Sequence, residues 1–130
     1  MADVSFYGAL NVILSTLKSK YPNATIVFVT PLHRYGFGIN SATGVEHTFD
    51  SVPNGAGHTL EDYVNAIKLV CERYGVAVVD LYGELDMDPR NEETREYYMP
   101  DGLHPNTAGH RQIANILAHA FEELKNSSAE

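Results

Sequence analysis

Residues 97–117 read "YYMPDGLHPNTAGHRQIANIL", and the order of residue types here decides how the rest of the chain is read. Asp101-Gly102 favours a tight turn, and Pro105 fixes the backbone beyond it. After Asn106 or Thr107, apolar residues recur at helical spacing. Asp101 and His104 therefore stand three residues apart in a turn that opens a helix. In such a turn the carboxylate can accept a hydrogen bond from the imidazole Nδ1. That holds the tautomer leaving Nε2 available as a general base. Leu103, between them, is expected to point inward and anchor the turn.

Working outward, Ile113, Ile116, Leu117, Ala120, Phe121 and Leu124 form the stripe this last helix is expected to bury, with the tail from Lys125 frayed. Upstream, "VAVVDLY" (76–82) and "TIVFVTP" (25–31) are β-branched and aromatic runs, as in strands buried on both faces of a parallel sheet. A helix is expected over Ser5–Lys20, capped by Asp3 or Ser5, with Phe6, Leu10, Ile13, Leu14 and Leu17 on its apolar face. A second spans Thr59–Tyr74, opened by a capping box of Thr59 and Asp62 and stopped by Gly75. Residues 32–58 form a long polar, glycine-rich loop without periodicity, and residues 83–100 an acidic connection.

The order helix, strand, helix, strand, helix is α/β, a single domain over residues 1–130 with right-handed parallel crossovers. Ligand sites in such sheets lie beyond the carboxyl ends of the strands, which is where Asp101 and His104 fall. Two strands make a thin sheet, and "TIVFVT" would offer an unpaired apolar edge. A homo-oligomer, most simply a dimer through that edge, is the expectation.

A net charge of −8 argues against a nucleic-acid partner. The single cysteine, Cys71, excludes an intrachain disulfide and a multi-cysteine metal site, and on the second helix's apolar stripe it reads as an inert thiol. No cofactor is implied, and His110 is expected to face away from His104, so no metal site is read. No apolar run approaches the ~20 residues of a membrane span. The opening "MADVSFYGALNVIL" lacks the features of a signal peptide, so the chain is expected to be soluble and cytoplasmic. Arg34 and Tyr35 either line a substrate pocket or are exposed loop residues. His33, His47 and His58 are expected to face solvent. Tyr97 and Tyr98 pack the histidine or simply fill core.

"DGLHPNTAGHRQIA" closely resembles the last block of the SGNH/GDSL hydrolases, a family of esterases, lipases and carbohydrate deacetylases. "FYGALNVILSTLKSKYPNATIVFVTP" and "YGVAVVDLY" are similar to the helix and strands that lead to that block. The resemblance implies a partial flavodoxin-like, three-layer fold, with two parallel strands and three helices and with the N-terminal strands missing. It also implies that Asp101 and His104 are the acid and base of a serine triad acting on an ester. The family's Gly-Asp-Ser nucleophile motif and Gly-x-Asn-Asp oxyanion motif do not occur. The nearest string, "FDSVPNG" at 49–55, follows no strand, and Ser51 is not taken as the nucleophile. The chain is thus expected to be the C-terminal portion of a serine ester hydrolase. The alternatives are a catalytically inactive oligomerising module and a half-domain completed by another chain.

Overall fold

The computed structural model describes residues 5–35, 50 and 52–128. Helix α1 spans Phe6–Lys20. Its N-cap is Ser5, whose hydroxyl accepts the Gly8 N–H at 3.0 Å. Asp3 lies outside the described residues, as do 36–49 and 51 of the expected long loop. Helix α2 spans Leu60–Tyr74. The capping box forms in both directions: Thr59 Oγ1 accepts the Asp62 N–H at 3.2 Å, and Asp62 Oδ2 accepts the Thr59 N–H at 2.9 Å. Gly75 ends α2 in the left-handed region at φ 64°, a conformation other residues adopt at a cost.

Strands β1 (Val27–Val29) and β2 (Ala77–Val79) pair in parallel, with Phe28 opposite Val78. One face of this sheet is covered. Leu10 and Leu14 of α1 pack with Ala66, Ile67, Val70 and Cys71 of α2, and Ile26, Phe28 and Val78 close the cluster from the sheet side. Burial pushes the Cys71 thiol pKa up, which keeps it protonated and unreactive.

Several expectations are corrected. Both strands are three residues long, shorter than their apolar runs, and Val29 is 42% exposed, so they are not buried on both faces. A two-stranded ladder gives the flanking residues nothing further to pair with. Ile13 is exposed, because α2 covers only the Leu10–Leu14 side of α1. The acidic connection holds two further helices, α3 (Leu81–Glu84) and α4 (Glu92–Tyr98), so the described residues contain five helices rather than three. The last helix, α5, runs Thr107–Ser128 and stays helical through the tail expected to fray. Its apolar stripe is at best half-buried, and Phe121 is 50% exposed. No helix among the described residues is long and apolar enough to cross a membrane.

Candidate active site

The carboxyl ends of β1 and β2 open onto a polar layer. Asp80, immediately after β2, caps α3 by accepting the Gly83 N–H at 3.0 Å and also accepts from the Thr30 hydroxyl at 3.2 Å. Lys68 of α2 reaches its other oxygen at 2.6 Å. Partial burial pushes the Asp80 pKa up, but the Lys68 and Gly83 bonds outweigh it, and the net direction is down. Thr30 Oγ1 in turn accepts the Tyr82 N–H at 3.0 Å, so the two strand ends are tied across the sheet.

The turn after α4 carries the first sequence-predicted pair. Asp101 Oδ1 accepts the backbone N–H groups of Leu103 (2.8 Å) and His104 (2.6 Å), and Oδ2 lies 2.6 Å from His104 Nδ1. The backbone N–H of His104, then its ring, then the Leu103 N–H hold the Asp101 pKa down at about 2. Near neutrality this carboxylate can only accept, so in the neutral imidazole Nδ1 carries the proton and Nε2 is the nitrogen with the lone pair. No hydrogen-bond partner for Nε2 is present among the described residues. The His104 side chain is 77% exposed, so the imidazole lies on an open surface.

Leu103 points outward, 51% exposed, contrary to expectation. The inward position of the turn belongs to Gly102, which is buried at φ 76° with its carbonyl accepting the Tyr35 N–H at 2.8 Å. A side chain at 102 would collide with the Tyr35 carbonyl. Tyr35 thus anchors the turn from the β1 side, and the Arg95 guanidinium of α4 lies 4.5 Å from the centre of its ring. Asn106 closes the other end: its N–H bonds the Tyr98 carbonyl at 2.8 Å, and its side chain accepts the Gly109 N–H at 3.0 Å and donates to the Tyr97 carbonyl at 2.7 Å. The Tyr97 and Tyr98 carbonyls hold the turn through Asn106, and the two rings pack edge to face at 4.7 Å between centroids.

Because the folded pKa of Asp101 sits below its ordinary 3.8, its contribution to stability is present above about pH 4 and is lost as pH falls through about 2. A carboxyl-carbon NMR titration is expected to give a midpoint near 2 for Asp101. A midpoint near the ordinary value would show that the turn does not hold the carboxylate in solution.

A second acid–histidine pair was not legible in the sequence. His33, expected to face solvent, has Nδ1 2.5 Å from Asp50 Oδ2; its side chain is 19% exposed and that of Asp50 2%. The ring stacks on Tyr82 at 3.7 Å between centroids. Burial, and secondarily the Asp50 charge, push the Tyr82 hydroxyl up. The Asp50 carbonyl accepts the Leu60 N–H at 3.1 Å, so the pair ties the end of β1 to the start of α2. Arg34 and His58 are exposed, the latter 3.8 Å from Asp62, and His47 and Ser51 lie outside the described residues. His110 is exposed on α5. Among the described residues no three His, Cys, Asp or Glu side chains group as metal ligands would.

Two parallel strands with flanking helices define an α/β domain, with an acid–histidine turn ahead of its last helix. The chain belongs to the GDSL-like lipase/acylhydrolase family, whose pattern matches residues 2–112. One similar solved structure is 35% identical with a TM-score of 0.79, over 92% of this chain and 52% of its own. A protein from Lactobacillus plantarum is 32% identical with a TM-score of 0.77, over 92% of this chain and 54% of its own. A possible lipase from Chitinophaga pinensis is 26% identical with a TM-score of 0.67, over 93% and 61%. The chain therefore spans between half and two-thirds of the length of each. No functionally curated protein matches it.

Proposed function

We propose that this chain supplies the general base and its orienting acid to a serine ester hydrolase, with His104 as the base and Asp101 holding its tautomer. The observation that supports this reading most is the hydrogen-bonded turn, in which one carboxylate oxygen fixes the backbone and the other fixes the imidazole. The serine and the oxyanion donors come from polypeptide outside the motifs present here.

In this reading Nε2 takes the serine proton as Oγ attacks the ester carbonyl, and Asp101 stabilises the imidazolium that forms. The imidazolium then gives that proton to the departing alcohol as its C–O bond breaks. Water attacks the acyl-serine with its proton passing to Nε2, which returns the proton to serine as the carboxylic acid leaves. No metal or redox partner enters these steps.

The test is labelling of the completed domain by a fluorophosphonate. The reagent should mark one serine, and His104→Ala should slow that labelling by roughly a thousandfold or more. Labelling at an unchanged rate in the variant would remove His104 from the base role.

A further inference from the structure

The catalytic steps make no use of the second acid–histidine pair, on which several segments of the chain converge. His33 follows β1, Asp50 precedes α2, Tyr82 lies in α3, and Asp88 and Arg90 stand in the connection to α4. The charges of this cluster are already matched. Asp50 faces His33, and Arg90 Nη2 reaches Asp88 Oδ2 at 2.8 Å. The Arg90 hydrogen bond holds the Asp88 pKa down, and the nearby His33 adds to it. Two polar atoms are left over. Asp50 takes Nδ1 of His33 at 2.5 Å, which leaves Nε2, and burial keeps the Tyr82 hydroxyl protonated. Neither Nε2 nor that hydroxyl has a hydrogen-bond partner among the described residues. The two rings are stacked, with centroids 3.7 Å apart, and the Tyr82 N–H is fixed to Thr30 Oγ1 at 3.0 Å. Both side chains keep part of their surface open to solvent. An acceptor and a donor held on neighbouring rings, and unfilled, suit hydroxyl groups.

We propose that His33 and Tyr82 bind a neutral polyol, a sugar or sugar-like alcohol, through two hydroxyls on neighbouring carbons. One hydroxyl donates to His33 Nε2, and the other accepts from the Tyr82 hydroxyl. The matched charges favour a neutral ligand. An anion would meet Asp50, Asp88 and Glu61, which all act on Tyr82, and a cation would meet Arg90. A hydrocarbon chain would leave both polar atoms unpaired. The cluster also borders the His104 turn. Arg95 donates to the Pro89 carbonyl at 2.9 Å and lies over the Tyr35 ring, and the Tyr35 N–H bonds the Gly102 carbonyl. Binding of the polyol does not depend on the catalytic reading, whereas its assignment as the alcohol part of the ester rests on that reading.

The test is an NMR titration of the chain with methyl α-glucoside and, separately, methyl α-galactoside, with cyclohexanol as the single-hydroxyl control. At least one glycoside is expected to shift the His33 and Tyr82 ring signals saturably, with a Kd of millimolar order. Cyclohexanol should give no saturable shift. Removing His33 also removes the partner of a buried carboxylate, so the deciding variant is Tyr82→Phe. That change keeps the stacked ring, takes away only the hydroxyl, and should weaken glycoside binding by about threefold or more. Three results would each overturn the proposal: no saturable shift with either glycoside, equal binding of cyclohexanol, or undiminished binding by Tyr82→Phe. The titration reads no hydrolysis, so its failure and a failure of the catalytic reading are separate results.

Discussion

Asp101→Asn in the completed domain is expected to lower kcat by roughly 10⁴ while leaving the fold in place. The reason lies in how the two carboxylate oxygens are used. Oδ1 accepts the Leu103 and His104 N–H groups, and an asparagine keeps that oxygen there. Its amide nitrogen then takes the place of Oδ2, 2.6 Å from His104 Nδ1. A donor in that position requires Nδ1 to accept, which moves the ring proton to Nε2 and blocks the base. Rate and stability should therefore separate, with a melting temperature within a few degrees of the parent and KM little changed. A rate loss below about tenfold would mean that the carboxylate shapes the turn without setting the tautomer.

His33→Ala is expected to reduce stability by about 3–5 kcal/mol, the loss typical when one partner of a buried pair is removed. Asp50 is almost fully enclosed, 2% exposed, and its Oδ2 faces the His33 ring. The substitution also removes the stacking on Tyr82. For a domain of this size the melting temperature should fall by roughly 3–5 °C per kcal/mol, a large part of the usual margin of about 5–15 kcal/mol. Adding Asp50→Ala to His33→Ala should recover some of the loss, because the unpaired carboxyl is gone. A single variant that melts within 1–2 °C of the parent would show that the pair does not pin β1 to α2.

Comparing the two pairs shows what the sequence could reveal. Asp101 and His104 are close in sequence, inside a turn whose Asp-Gly and Pro constrain the backbone, so spacing alone brought them together. His33 and Asp50 are separated by a stretch without periodicity, and no local signal links residues 17 apart. The caps of α2 were legible because Thr59, Asp62 and Gly75 act on their own neighbours. Helix α4 was missed because "EETREYY" has no apolar stripe, although Asn91 followed by Glu92 and Glu93 is a usable start signal: its side chain accepts the Thr94 N–H at 3.0 Å. The stripe of α5 was correctly read as apolar. Its burial was not, because burial depends on a surface that the described residues do not supply. Leu103 was placed inward by hydrophobicity, but Gly102 takes that position because only glycine fits at φ 76° against the Tyr35 carbonyl.

The most direct measurement is 4-nitrophenyl acetate hydrolysis by four samples: the chain, its His104→Ala variant, and each of these joined to a segment that carries the family's Gly-Asp-Ser and Gly-x-Asn-Asp motifs. The account predicts equal background rates for the two isolated chains. It predicts turnover in the joined parent that falls by roughly a thousandfold or more in the joined variant. Turnover that survives the loss of His104 would contradict it. So would His104-dependent hydrolysis by the isolated chain, which would place the nucleophile within these 130 residues.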